Sequence, residues 1–123
     1  MSVIIEKQLS ETVLGAVFSV HNSLGPGLLE SAYEGALVIE FKHLQIEISR
    51  QHVYPVYYRG EMAGAYIADM VVDGKIILEL KSVVSFTASM EAQLLNYLKL
   101  SGIRIGYLIN FHGERVSWRR FVV

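Results

Sequence analysis

The chain of 123 residues contains no cysteine, and its 11 basic and 12 acidic side chains nearly balance, giving a formal net charge of -1. The absence of cysteine excludes disulfides, thiolate metal sites and a cysteine nucleophile. The charge balance excludes a molecule-wide field that would attract nucleic acid or a membrane surface, so a polyanionic partner needs a local patch or a bound cation. Because no apolar run approaches 18 residues and no leader pattern opens the chain, we expect a soluble, cytoplasmic protein without a membrane partner.

Apolar residues make up 52% of the chain, which is above the usual share. Such a share predicts a sheet covered on both faces, a subunit interface, or both. The length suits one domain, residues 1–123, with a single core. A second copy of the chain, forming a homodimer, is therefore one of the partners that we consider.

Hydrophobic periodicity and turn residues predict the element order α-α-β-β-β-α-β-β, a mixed β-sheet flanked by helices in an α/β or α+β fold. The first helix should start at the N-cap Ser10 and the second should end near His43. Within residues 45–59 we expect one or two short strands, and Pro55 argues for an edge position or a break there. A third helix should run from a cap at Thr87 or Ser89 to Gly102. The predicted core stripes of helices two and three are Leu29, Tyr33, Ala36, Leu37, Phe41 and Leu44, and Leu94, Leu95 and Leu98.

The stretch ADMVVDGKIILELK, residues 68–81, has the pattern of a β-hairpin turning at Asp73-Gly74. Asp69, Glu79 and Lys81 occupy positions where a buried strand would carry Val or Ile, and burying such groups is costly unless they are paired or bind a metal. The length of the turn decides whether they can meet, because side chains alternate between the faces of a strand.

Two turns are compatible with this sequence. A two-residue Asp73-Gly74 turn pairs Val72 with Lys75 and places Asp69 on the face opposite Glu79 and Lys81. A three-residue loop, residues 72–74 with Gly74 left-handed, pairs Val71 with Lys75 and Asp69 with Ile77, so that all three charged residues share a face. The second turn leaves the opposite face entirely apolar, and we favour it for that reason. The residues of that predicted core face are Ala68, Met70, Ile76, Leu78 and Leu80.

Two carboxylates on neighbouring strands with a lysine two residues on suit a hard divalent cation, Mg²⁺ or Mn²⁺, which hydrolyses phosphodiesters through a bound water. A solvated face with a Lys-Glu ion pair is the plain alternative, since the spacing by itself is a weak motif. The scattered histidines lack zinc-ligand spacing, and the turn at GPG lacks the spacing of a phosphate-binding loop, so we expect neither zinc nor a nucleotide cofactor.

The residues quoted above resemble those of a known superfamily. Asp69 followed across a hairpin by Glu79-Leu80-Lys81 resembles the PD-(D/E)XK nuclease signature, and Gln93 with Tyr97 resembles the QxxxY motif of RecB-like members. GLLESAY, with Gly27, Glu30 and Tyr33, is similar to the motif of the GxxExxY family. Ala68 stands where the signature has proline.

This resemblance implies a restriction-endonuclease-like core and a Mg²⁺-dependent (or Mn²⁺-dependent) nuclease site. Asp69 and Glu79, with the carbonyl of Leu80, would be metal ligands, and Lys81 would position the attacking water. Glu30 would complete the acidic cluster through water. Gln93 is grouped with the catalytic residues because it could contact Lys81 or a phosphate.

Three further residues are predicted to support the site. Tyr97 shares a helix face with Gln93. The alternative, which is favoured without the resemblance, is that Gln93 is exposed and Tyr97 is partly buried packing. The Tyr33 hydroxyl could steer Glu30, or the ring could pack on the sheet. His21 could face the acidic cluster, although surface or capping roles are more frequent for histidine.

A basic patch near the final strands could contact nucleic acid, with Trp118 and Tyr107 stacking on bases. A solvated edge is the alternative explanation. The members of the predicted patch are Lys99, Arg104, Arg115, Arg119 and Arg120.

Two hypotheses of function remain open from the sequence. The first is a metal-dependent nuclease that hydrolyses phosphodiesters in DNA or RNA, with DNA favoured. The second is a non-catalytic module of the same fold, a homodimer or subunit that binds nucleic acid or protein.

Overall fold

The computed structural model describes residues 5–123, so the first four residues of the predicted 1–123 domain lie outside the described part. Within that range the elements follow the predicted order α-α-β-β-β-α-β-β. They are α1 (Lys7–Leu24), α2 (Glu30–His43), β1 (Ile48–Tyr58), β2 (Glu61–Val72), β3 (Ile76–Lys81), α3 (Ala88–Ser101), β4 (Ile105–Asn110) and β5 (Ser117–Val122).

The five strands form one mixed sheet in the order β1-β2-β3-β4-β5. β1, β2 and β3 form an antiparallel meander, β4 lies parallel to β3, and β5 lies antiparallel to β4. The parallel pair requires a crossover, which α3 supplies. β1 lies at an edge of the sheet, as Pro55 predicted. The predicted α+β architecture is therefore confirmed.

Both faces of the sheet are covered by helices. α1 and α2 pack on one face over Met70, Val72, Ile76, Leu78 and Leu80. α3 packs on the other face, where Leu94, Tyr97 and Leu98 contact a second apolar cluster. Ala68 belongs to this second cluster, so its assignment to the same face as Met70 is wrong, and the hairpin has no separate uncovered working face.

The predicted helix ends agree with the structure in α2 and α3 and differ from it in α1. The Thr87 hydroxyl accepts a hydrogen bond from the Met90 N–H, and Gly102 ends α3 in a left-handed conformation, as predicted. α2 ends at His43 as predicted. The prediction of Ser10 as the first cap is wrong, because α1 begins at Lys7 and buries Ser10 inside the helix.

Three leucines of the predicted core stripes are exposed instead. Leu29 is 79% exposed because it precedes α2 in an extended conformation and so does not share the helical stripe. Leu44 follows the end of α2. Leu95 points away from the sheet, since α3 contacts it through Leu94, Tyr97 and Leu98. None of the helices within residues 5–123 is long and apolar enough to cross a membrane.

Gly106 on β4 lets α3 approach the sheet closely. A Cβ atom at this position would lie 2.8 Å from Cδ1 of Leu94 and 3.1 Å from its Cγ. Leu94 is fully buried, so it has little room to move aside.

We predict that Gly106→Ala destabilises the protein by about 1–3 kcal/mol, because the added methyl group overpacks the contact between α3 and β4. Gly15→Ala is the matched control: Gly15 is exposed within α1, and a methyl group added there would have no atom within 4 Å, so the substitution should stabilise by up to about 1 kcal/mol. Urea unfolding of both variants measures the two effects. Equal stability of Gly106→Ala and wild type would contradict the close approach.

Candidate metal centre

The hairpin between β2 and β3 turns through three residues, 73–75, of which the first two are left-handed. Asp73 and Gly74 have φ values of 51° and 63°, and the Lys75 N–H donates to the Val72 carbonyl at 2.9 Å. Val72 nevertheless pairs with Ile76 and not with Lys75. The two predicted pairings, of Lys75 with Val72 or with Val71, are therefore both wrong. The regular pairing ends at Met70 and Leu78, and beyond it hydrogen bonds between Asp69 and the Glu79-Leu80 segment bring the two carboxylates together without the regular pairing that either predicted turn required.

Two hydrogen bonds join Asp69 to β3 where the regular pairing ends. The Asp69 N–H donates to Oε2 of Glu79 at 2.7 Å, and the Leu80 N–H donates to Oδ2 of Asp69 at 2.8 Å. The regular ladder between the two strands extends only to Met70 and Leu78. Each carboxylate therefore has one oxygen fixed by a backbone donor of the facing strand.

Glu79 is an unusually buried carboxyl group, only 3% exposed. Its burial, followed by the negative charge of Asp69, raises the pKa of Glu79 to about 8. Burial also raises the pKa of Asp69, although the Leu80 N–H and the Lys81 charge act in the opposite direction. Ionising both carboxyl groups is therefore unfavourable in the absence of a cation.

A cavity of about 170 Å³ lies beside Asp69. Asp69 and Leu80 contribute to it from the sheet, and Glu30 contributes from the start of α2. Oε1 of Glu30 accepts a hydrogen bond from the Ser82 N–H at 3.0 Å, which ties α2 to the chain just after β3. The Glu30 charge raises the pKa of Glu79, and the Lys81 charge lowers it. Asp69, Glu79, Lys81 and Glu30 therefore lie in one electrostatic cluster.

Gln93 and Tyr97 lie on the opposite side of the sheet from the cavity, on α3. Tyr97 is 2% exposed and its hydroxyl donates to the Ile67 carbonyl at 2.8 Å, which agrees with the packing alternative. Burial, and then the charges of Glu79 and Asp69, raise the pKa of Tyr97 to about 12, while a hydrogen bond with Gln93 acts against this rise. These residues are thus electrostatically coupled to the carboxylates.

Tyr33 and His21 contact other groups than those predicted. The Tyr33 hydroxyl donates to the Gly25 carbonyl at 2.6 Å and accepts from the Leu28 N–H, so it closes the turn before α2. Its ring stacks on Phe111 at 4.3 Å. His21 lies 2.9 Å through Nε2 from the Gly113 carbonyl, and its contacts are with the turn after β4, not with the carboxylates.

Three residues near the site were missed at the sequence level. Glu34 lies one turn after Glu30 on α2 and lines the cavity together with Gln51 of β1. Asn110, at the end of β4, accepts from the N–H groups of Val83 and His112 and donates to the Val83 carbonyl. The i, i+4 spacing of Glu30 and Glu34 could have indicated that Glu34 lies near the site, whereas no sequence pattern marked Gln51 or Asn110.

The predicted basic patch is largely engaged within the protein. Arg119 pairs with Glu91, and Arg104 donates to the Val123 carbonyl. Arg120 donates to the Tyr107 hydroxyl at 3.0 Å. Tyr107 is 1% exposed, so its predicted stacking on bases is wrong, while Trp118 is partly exposed and packs edge-on against Phe18.

The donor atoms of this cluster suit a hard divalent cation. All are oxygens, and the raised pKa of Glu79 reflects a charge that a cation would offset. Within residues 5–123 no group of three or more His, Cys, Asp and Glu side chains could hold a metal ion by itself. A centre here therefore needs a backbone carbonyl or water beside the two carboxylates.

The mixed sheet has helices on both faces, and its β2–β3 hairpin carries Asp69, Glu79 and Lys81. A family model described as the PD-(D/E)XK nuclease superfamily matches residues 7–121. The chain therefore belongs to the PD-(D/E)XK nuclease superfamily, whose members generally use divalent metals, and its fold is restriction-endonuclease-like.

Comparison with curated proteins gives no significant match. Among solved structures, the chain is similar to one titled "Crystal structure of SSO0001", with a TM-score of 0.53 and 18% sequence identity. The similarity covers 95% of this chain and 58% of the other, so the chain spans little more than half the length of that protein. At this identity the likeness shows the fold alone.

We predict that Glu79→Gln stabilises the metal-free protein at high pH. The folded pKa of about 8 lies above the unfolded value of 4.5, so ionising Glu79 costs stability as pH rises from about 4.5 to 8. Glutamine can still accept from the Asp69 N–H but carries no charge. We expect equal stabilities near pH 4.5 and a gain on the order of 2 kcal/mol or more at pH 9.

Thermal unfolding in a chelating buffer between pH 4.5 and 9 measures this difference. Glu114→Gln, at an exposed glutamate in the turn before β5, is the control and should leave the pH profile unchanged. A Glu79→Gln profile parallel to that of wild type would show that Glu79 ionises without penalty.

Proposed function

We propose that the chain, as one nuclease-like domain, is a nuclease that hydrolyses phosphodiester bonds with the help of Mg²⁺ or Mn²⁺. The observation that carries this proposal is the pair of hydrogen bonds between Asp69 and the Glu79-Leu80 segment. Each carboxylate has one oxygen held by a backbone N–H of the facing strand, and Asp69 lines a cavity together with Glu30. Two neighbouring carboxylates, one of them buried, are unfavourable when both are ionised, and a bound cation would offset their charge.

Each residue of the cluster has a part in this proposal. Asp69 and Glu79, with the Leu80 carbonyl, would hold the ion, and Glu30 would join through a water molecule. A bound divalent cation would polarise the phosphate and lower the pKa of a coordinated water. Lys81 would orient the attacking water with its ammonium group, and Gln93 would support the site from α3.

Within the superfamily we propose membership of the GxxExxY family, with a QxxxY motif of the RecB-like kind. Each residue of the GxxExxY motif, in the turn before α2 or on α2 itself, has a structural role that supports this assignment. Gly27 has a φ of 96°, which favours glycine, Glu30 binds the Ser82 N–H, and Tyr33 closes the turn. Gln93 and Tyr97 share one side of α3 near the carboxylates.

The substrate that we propose is nucleic acid, with DNA as the first candidate. The exposed face around the cavity is acidic, and the arginines of the last strands are mostly engaged. Attraction of a polyanion would therefore depend on the bound cation, which also agrees with a formal net charge of -1.

A non-catalytic module, a homodimer or subunit, is the second candidate. The observation that favours it is the end of the β1–β2 hairpin, which extends beyond the pairing with β3 and exposes large apolar side chains. These are Val53, Tyr57, Tyr58, Met62 and Ile67. Such a surface is typical of protein contacts.

We predict that Asp69→Asn abolishes binding of Mn²⁺, whereas Lys81→Met keeps it and lowers cleavage by about 10²-fold or more, because the lysine acts on water and not on the ion. Calorimetric titration of Mg²⁺ and Mn²⁺ measures binding. Cleavage is measured on single-stranded, double-stranded and branched DNA and on the RNA counterparts.

Asp73→Asn is the matched control, because Asp73 is an exposed aspartate in the turn of the same hairpin and its carboxylate lies 3.8 Å from the Lys75 ammonium group. This variant should bind metal and cleave as wild type does. Absence of metal binding by the wild type would overturn the nuclease proposal in favour of the interaction module.

A further inference from the structure

Gln51 has an unusual backbone conformation in the middle of β1. Its φ is 48°, in the left-handed region that a residue with a side chain rarely adopts within a strand. Arg50 pairs with Met70 and His52 pairs with Ala68, while Gln51 and Asp69 between them form no regular pair. A left-handed residue costs roughly 1–2 kcal/mol, so the surrounding structure must compensate for it.

The irregularity coincides with a change in the alternation of β2. In a regular strand, residues 68 and 70 would lie on one face. Here Ala68 packs against α3, whereas Met70 packs on the side of α1 and α2. The alternation thus shifts by one residue at Asp69, which lies opposite Gln51. As a result, Asp69 lines the cavity beneath α2 and is not covered by α3.

The Gln51 side chain joins the three elements around this cavity. Its Nε2 donates to Oε1 of Glu34 at 2.7 Å, and Arg50 donates to the other oxygen of Glu34 at 3.0 Å. Gln51 and Asp69 line the same cavity, where burial raises the pKa of Asp69 and the Gln51 amide is one of the groups that act against this rise. A neutral amide can serve both carboxylates without adding charge to the cluster.

We propose that Gln51 is a positioning residue for the candidate metal centre, whose left-handed backbone and amide group hold the Asp69 carboxylate in the cavity. This inference rests on the proposed binding of a divalent cation by Asp69 and Glu79. In this proposal Gln51 does not contact the ion. Gln51 and Arg50 each donate to one oxygen of Glu34, and these hydrogen bonds join β1 to α2.

Two substitutions separate the effect of the left-handed backbone conformation at Gln51 from the effect of its side-chain amide. Gln51→Gly keeps the left-handed conformation and loses the amide, whereas Gln51→Val loses the amide and disfavours the conformation. We expect the affinity for Mn²⁺, measured by calorimetry, to fall about 3-fold or more in Gln51→Gly and about 10-fold or more in Gln51→Val. Urea unfolding of the same samples gives their stability.

Gln45 provides matched controls, because it is also a left-handed glutamine, with φ 57°, but lies in the exposed turn between α2 and β1. Gln45→Gly and Gln45→Val should change stability in the same directions and leave Mn²⁺ affinity unchanged. A purely structural role of Gln51 would instead give the same affinity in all four variants.

A metal-free readout keeps the inference testable if Gln51→Val fails to fold. The Leu80 N–H donates to Asp69, so its amide resonance reports the position of that carboxylate. We expect this resonance to shift in Gln51→Gly and to stay in place in Gln45→Gly. An unshifted resonance together with wild-type Mn²⁺ affinity in Gln51→Gly would overturn the inference.

The proposed function and this inference fail in distinguishable ways. If the wild type binds no Mn²⁺, or if Asp69→Asn binds it as well as wild type does, the metal centre itself is wrong and the inference falls with it. If binding depends on Asp69 and all Gln51 variants bind as wild type does, only the role of Gln51 is wrong.

Discussion

The reciprocal hydrogen bonds between Asp69 and the Glu79-Leu80 segment are the constraint on which the candidate site depends. They occur where β2 leaves its regular pairing with β3, so side-chain oxygens replace the carbonyls that would otherwise accept these N–H groups. The same bonds draw Glu79 into a nearly water-free position, where burial and the Asp69 charge raise the pKa of Glu79. The satisfaction of these backbone N–H groups and the raised pKa of Glu79 therefore have the same structural cause.

Contacts from α2 and from the end of β4 stabilise the region around Asp69 and Glu79. α2 brings Glu30 to the Ser82 N–H and Glu34 to Gln51, and the Tyr33 hydroxyl fixes the turn from which α2 begins. At the end of β4, Asn110 holds the chain that follows Lys81 through two bonds to Val83. The candidate centre thus rests on contacts between elements that are distant in sequence, which is typical of preorganised sites.

The high apolar content of the chain has two structural explanations. One is the sheet covered on both faces, with α1 and α2 on one side and α3 on the other. The other is the exposed end of the β1–β2 hairpin, where Tyr57 and Tyr58 are 65% and 70% exposed. The first accounts for the core of a nuclease-fold protein, and the second leaves a surface suited to a partner.

The sequence by itself determined the element order, the edge position of β1, the Thr87 cap and the grouping of Asp69 with Glu79, because these follow from local periodicity, capping and turn residues. Only the tertiary structure decided which residues of the hairpin pair, because Lys75 enters the turn as an extra residue. The faces on which Ala68 and Leu95 lie were likewise decided by tertiary packing. It also decided the surroundings of Asp69. The left-handed Gln51 and the shifted alternation of β2 have no local signature, because they arise where α2, β1 and β2 meet.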